Sequence, residues 1–277
     1  MKFKFLVYLL PVLLIALLTS CESDDNGVSE GRLVVHITDE PFPHDLVAEA
    51  NVTISKVEVR KSDAGEGSPY LVLSEEVVSL NLLDLTNGVT ATLADLNVPA
   101  GEYNLVRLYV DEASVVLKNG DVYDLNVPSG AQTGIKVFVN PPIVVTGGIT
   151  SELLLDVDVS KSFVVQGNPA TPAGINGFIF KPVIRATNLS NAGRLTGVIT
   201  NQEETGLEGA QVSVFAADTL HTTTFSGEEG QYVVLGLHAG EYNVEVSLRD
   251  FATQQIENVE ITAGNATVLD VELEEEE

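Results

Sequence analysis

Apolar residues in this chain come in short runs, many alternating with polar ones, and Gly, Pro and Asn break the runs. Val, Ile, Leu and Thr dominate them. Alternation with a period of two is the mark of strands with one buried face, so the pattern predicts an all-β chain. The first block of runs covers 32–38, 50–60, 70–73, 77–82, 103–110, 114–117, 121–125, 135–139, 143–145, 152–159 and 178–187. Within the second run, Val52 and Ile54 keep an even phase and Val57 and Val59 an odd one. A one-residue slip turns side chains to the opposite face, so a bulge is expected near Ser55-Lys56. Residues 45–50 read as one helical turn and 167–177 as a Pro/Gly loop. Asn119-Gly120 reads as a type I′ hairpin turn, because both residues tolerate positive φ. After a link at 188–193, seven runs follow at 194–200, 210–216, 222–226, 231–235, 241–248, 256–261 and 267–273. Such density predicts a small antiparallel sandwich.

Two stretches echo each other across the link. Gly31-Arg32-Leu33 followed by Ile37-Thr38-Asp39 matches Gly193-Arg194-Leu195 followed by Ile199-Thr200-Asn201, and Ala100-Gly101-Glu102-Tyr103-Asn104 returns unchanged as Ala239-Gly240-Glu241-Tyr242-Asn243. The order is kept while the spacing is longer in the first block. The expectation is two related sandwiches, the first carrying insertions, with Tyr103 and Tyr242 on equivalent strands.

The first residues follow a different pattern. Lys2 and Lys4 precede an apolar run over 5–18, interrupted by Pro11. The run is shorter than the ~20 residues that span a bilayer and fits a secretory signal peptide. It ends in Leu18-Thr19-Ser20-Cys21, which resembles the lipobox of bacterial lipoproteins. That resemblance implies cleavage after residue 20 and a lipid on Cys21, the only cysteine in the chain. Ser23-Asp24-Asp25 resembles the short acidic export signal of Bacteroidota surface lipoproteins, and 21–30 reads as an acidic tether. The expected location is the outer membrane, lipid-anchored and facing the cell exterior. The membrane is then a partner only through the anchor.

Composition narrows the function. The formal net charge is −26, which argues against nucleic acid and against electrostatic docking on anionic lipid. One cysteine excludes an internal disulfide and a thiolate metal site.

The last block, 194–273, resembles the carboxypeptidase regulatory-like domain, a transthyretin-like (prealbumin-like) seven-strand sandwich. The residues that carry this are Gly197-Val198-Ile199, the turn Gly206-Leu207-Glu208-Gly209-Ala210, Gly230-Gln231-Tyr232, and Leu237 with Gly240 and Tyr242. The first block, 31–187, resembles a bacterial lipoprotein domain, domain of unknown function 4382. It does so through Ile37-Thr38-Asp39 with Pro41, Pro99-Ala100-Gly101 with Tyr103, Val127-Pro128-Ser129-Gly130, Leu155-Asp156-Val157-Asp158 and Lys181-Pro182-Val183-Ile184-Arg185. Neither resemblance implies an enzyme or a cofactor. The expected layout is a signal peptide at 1–20, the tether at 21–30, two antiparallel sandwiches at 31–187 and 194–273, the link at 188–193, and an acidic tail at 274–277.

Candidate chemistry is sparse. The four histidines, at 36, 44, 221 and 238, lack metal-ligand spacing, and no nucleophile elbow or phosphate loop appears. Asp156 and Asp158 stand two apart on an expected strand and so share a face. They could form one side of a Ca²⁺ site, with Asp39, Asp111 and Glu112 as additions; pairing with Lys181 or Arg185, or exposure to water, is the alternative. Asp218-Thr219-Leu220 resembles the Bacteroidota O-glycosylation motif, which makes Thr219 a candidate modification site. The expected function is a non-enzymatic interaction or structural module of the envelope with an unknown protein or glycan ligand. The alternative is glycan capture. With no Trp, stacking would fall to Tyr70, Tyr109, Tyr123 and Tyr232.

Overall fold

The structure is a computed structural model that describes residues 29–40, 46–65, 67–127 and 130–276. The leader, Cys21 and Ser23-Asp24-Asp25 lie outside the described residues. The described chain is built almost wholly of strands. The first domain contains β1 (Glu30–Glu40), β2 (Val47–Lys61), β3 (Leu71–Ser74), β4 (Val78–Asn81), β5 (Ala91–Pro99), β6 (Gly101–Leu117), β7 (Val122–Leu125), β8 (Ile135–Val145), β9 (Thr150–Asp158), β10 (Phe163–Gly167), β11 (Ile175–Phe180) and β12 (Ile184–Asn188). One sheet runs β12-β9-β1-β5. In the other, β2 and β6 pair at the centre, β3 and β4 line β2, and β7 and β8 line β6; β10 and β11 form a separate hairpin. The second domain contains β13 (Ala192–Asn201), β14 (Gln211–Ala216), β15 (Thr219–Phe225), β16 (Gln231–His238), β17 (Gly240–Ser247), β18 (Gln254–Ile261), β19 (Ala266–Val268) and β20 (Val271–Leu273). Its sheets are β16-β13 with β19 and β20, and β15-β14-β17-β18.

The phase slip in β2 is a bulge. Residues 50, 52 and 54 face inward, then 57 and 59, and the register against β6 shifts on both sides of Ile54, leaving Ser55 unpaired. Both domains depart from a purely antiparallel plan. β1 pairs parallel with β9, and β13 pairs parallel with β19 and β20, while every other strand pairing among the described residues is antiparallel. A run of apolar residues records burial, not strand direction, so alternation could not reveal this. The helical turn expected at 45–50 is corrected: β2 starts at Val47, and its inward Val47 and Ala50 are buried in the sandwich core. Residue 45 lies outside the described residues. The run at 178–187 is split between β11 and β12, because Pro182 carries no N–H for a ladder. At 188–193 the chain makes a single 3₁₀ turn, Leu189–Asn191, in which the Asn188 side chain accepts from the Ser190 N–H.

The turn at Asn119-Gly120 is also corrected. Only Gly120 takes positive φ (91°), and Leu117 and Asp121 close a three-residue loop. The adjacent left-handed pair is instead Asn87 (54°) and Gly88 (79°), and the Val89 N–H closes that turn on the Thr86 carbonyl at 3.1 Å.

The two domains share one plan. β1 lies between β5 (antiparallel) and β9 (parallel), as β13 lies between β16 and β19–β20. β2-β6-β8 corresponds to β14-β17-β18. Tyr103 and Tyr242 occupy equivalent strands. Each hydroxyl donates to the carbonyl four residues upstream, Tyr103 to Pro99 at 2.7 Å and Tyr242 to His238 at 3.0 Å. The glycine that follows the first carbonyl by two residues has φ of 149° at Gly101 and 154° at Gly240, a region open chiefly to glycine. Gly31 and Gly193 match as well. A Cβ on Gly31 would meet the Thr146 carbonyl oxygen at 2.3 Å, and one on Gly193 the Thr262 carbonyl oxygen at 2.5 Å.

Candidate functional site

Between the two sandwiches lies a cleft whose walls come from both. On the first domain's side, β9 is buried on both faces: Leu153 and Leu155 point into the core, and Leu154 points outward yet is 1% exposed. The second domain covers it there. A Cβ on Gly236 would meet the Leu154 side chain at 3.2 Å, and Gly236 takes positive φ (73°).

A loop fixes this approach. The buried Thr38 hydroxyl on β1 lies within hydrogen-bond distance of the Leu85 and Val89 carbonyls, at 2.8 and 2.9 Å. The loop held in this way carries Asn87. The Asn87 amide donates to the Gln231 carbonyl at 3.1 Å and accepts from the Val233 N–H at 2.6 Å. It therefore pairs with β16, an edge strand, as a neighbouring peptide group would. Sequence reasoning read the Asn-Gly signal at 119–120 and did not single out 87–88.

A cavity of about 290 Å³ opens in the cleft, lined by Phe138, Asp156, Arg185, His221, Gly236 and His238, among others. Asp156 and Arg185 face each other across β9 and β12, with Arg185 Nη2 donating to Asp156 Oδ2 at 2.6 Å. Burial pushes the Asp156 carboxyl up, against the pull of the guanidinium. His221 is shifted down to about 4, first by burial and then by the positive fields of Arg185 and His238. Its ring lies 5.7 Å from that of Tyr242. Phe138, by contrast, is 70% exposed at the rim.

The proposed calcium residues do not converge. Asp156 is paired with Arg185. Asp158 is 4% exposed and caps the turn Val159–Ser162, accepting from the Lys161 N–H at 2.9 Å and the Ser160 hydroxyl at 2.7 Å. The Lys161 ammonium completes that set and holds the Asp158 carboxyl below its ordinary range, against the effect of burial. Asp39 pairs with Val157, one position past Asp156 on the same sheet, but Asp111 and Glu112 line a groove of about 430 Å³ by the other sheet, with Asp124. Among the described residues, no group of three or more His, Cys, Asp and Glu is arranged to hold a metal ion.

The tyrosines divide. Tyr232 is buried in the second core, its hydroxyl donating to the Leu269 carbonyl at 2.6 Å, so it offers no stacking surface. Tyr123 packs edge-on against Phe178. Tyr70 and Tyr109 do meet around Arg107. The guanidinium carbon lies 3.6 Å from the Tyr70 ring centre and Nη1 donates to the Tyr109 hydroxyl at 3.3 Å. The Tyr109 hydroxyl donates to Glu58 at 3.1 Å, and Lys56 holds the other Glu58 oxygen at 2.6 Å. The central carboxylate, 6% exposed, serves two cations, Lys56 and Arg107, so the cluster keeps one uncompensated positive charge and a buried Arg107 Nε without a hydrogen-bond partner. Thr219 is exposed at the β14–β15 hairpin, next to Ala217 with φ of 52°.

A family model described as Domain of unknown function (DUF4382) matches residues 30–182. The chain belongs to the DUF4382 family. A carboxypeptidase regulatory-like domain matches 194–274, so the cleft lies between the DUF4382 region and this second domain. No curated protein matches the chain. Among solved structures, it is similar to GBS52, the minor pilin of Streptococcus agalactiae, at 11% identity over 89% of this chain and 97% of that one, TM-score 0.27. It is similar to the shaft pilin SpaA of Lactobacillus rhamnosus GG at 9% identity over 90% and 98%, TM-score 0.25. A cohesin–X-dockerin complex from Acetivibrio cellulolyticus aligns at 19% identity over 29% of this chain, TM-score 0.25, and the chain spans 56% of the length of that protein.

Proposed function

We propose that this protein is a non-enzymatic interaction module, held at the outer surface of the cell by a lipid on Cys21. The observation that carries the module reading is the docked pair of like sandwiches. Asn87 and Gly236 fix one against the other, leaving a preformed cleft of mixed polar and apolar lining and long sheet faces toward solvent. Rigid sandwiches with a shaped junction suit binding. The second domain's match is to a regulatory-like domain, not a catalytic one. Leu18-Thr19-Ser20-Cys21 and Ser23-Asp24-Asp25 support the anchor and the outward address. Glycan capture is the more specific form of the reading, favoured by the exposed Phe138 at the cleft.

Protease shaving of intact cells, with mass spectrometry of released peptides, tests display. Peptides from 194–273 are expected from cells carrying the natural chain and lost when Cys21→Ala releases it. Protection of those peptides in intact cells, with cleavage only after lysis, would place the module on the inner side and defeat the surface role.

A further inference from the structure

The junction between the sandwiches gathers polar, charged and aromatic side chains from both domains. The body carries a net −26, and two of the chain's four histidines meet one of its few arginines here. Neither family match assigns a ligand to this place. Four groups face His221: Arg185 from β12, Asp156 paired with it from β9, His238 from β16 and Tyr242 from β17. Only Asp156 among these is acidic, and it accepts from one Arg185 nitrogen, Nη2. The two imidazoles therefore give the cleft a local donor character. Asn140, Thr187 and Thr222 add neutral polar groups able to meet hydroxyls. Phe138 presents an open aromatic face on β8, while its cross-strand partner Leu105 is 2% exposed. An apolar face beside hydroxyl partners and the N–H donors of two imidazoles and a guanidinium matches an amphiphilic ring bearing one carboxylate.

We propose that the cleft binds an acidic sugar, a uronic-acid residue of a glycan, with its ring on Phe138 and its carboxylate toward His221, His238 and Arg185. This rests on the interaction-module reading and names its ligand class.

The test is isothermal titration of the full-length protein in detergent with trigalacturonate, and with maltotriose as the uncharged counterpart. Saturable binding of trigalacturonate alone is expected. Phe138→Ala and His238→Ala should each weaken it roughly tenfold, the worth of one stacking or charge-assisted contact. The Phe138 and His238 side chains face solvent, so unchanged melting temperatures will show that the fold is intact. No saturable binding, equal binding of maltotriose, or binding indifferent to both substitutions would overturn the acidic-sugar site. Surface display is read separately by shaving, so that result can stand when this one fails.

Discussion

The two sandwiches follow one plan at two sizes, and their difference separates scaffold from elaboration. In the smaller domain β14 and β17 are 6 and 8 residues long; their counterparts β2 and β6 are 15 and 17. The longer strands leave room for β3, β4 and β7 along them, and the larger domain adds β10–β12 beyond β9. What both keep is the tyrosine-to-carbonyl bond and the glycine that lets the first strand of each domain lie against a neighbouring carbonyl. These are places where chain geometry leaves one residue type. Charge differs too: Arg194 and Arg249 are the only cations of the second domain, whereas the first holds every lysine outside the leader. The cleft draws its arginine from the first and its histidines from the second.

Truncating the equivalent leucines should give the largest effect. Leu33→Ala and Leu195→Ala each remove a fully buried side chain and should cost about 2–5 kcal/mol. Calorimetry should show the second domain melting first in Leu195→Ala, because its smaller core has less to lose; a matched fall of both transitions would mean the sandwiches unfold as one.

Gly31→Ala and Gly193→Ala should cost about 1–3 kcal/mol each, by overpacking against a backbone oxygen. Denaturant titration reads this, and a loss confined to one of the pair would break the equivalence. Asn87→Ala removes both bonds to β16 and should cost about 1–2 kcal/mol, seen as a wider gap between the two melting transitions. Tyr103→Phe and Tyr242→Phe should lose about 1 kcal/mol each, and similar values would mark the two corners as one device.

The pH dependence sharpens the contrast at the junction. His221 is neutral in the fold down to about 4, whereas in the unfolded chain it takes up its proton near the ordinary 6.5. The unfolded state thus binds more protons between these values, and stability falls as pH drops from 6.5 toward 4. Asp156, shifted up, works in the opposite sense. The melting temperature of His221→Gln should therefore fall less than that of the natural protein over this range; parallel curves would remove His221 as the cause.

Much of this was legible in the sequence. Strand runs, the β2 bulge and the paired Gly-x-Tyr motifs follow from period, phase and residue type, since each reflects a local demand on the backbone. The cleft was not legible. His221 and Arg185 are ordinary polar residues in their own strands, and Tyr232 carries no sign that it is buried while Tyr70 is not.

The chain alone determined that it would be strands, where the core faces lie, and that the fold is doubled, because side-chain alternation and positive-φ glycines are properties of neighbouring residues. Which Asn-Gly pair makes the left-handed turn, which strands run parallel, and which charged groups meet were decided only in three dimensions. The strand directions are set inside each sandwich, whereas the turn and the charged cleft depend on how the two dock. The loop of Asn87 and Gly88 takes its shape where Thr38 holds its ends and β16 offers an open edge, and the loop at 119–120 has neither.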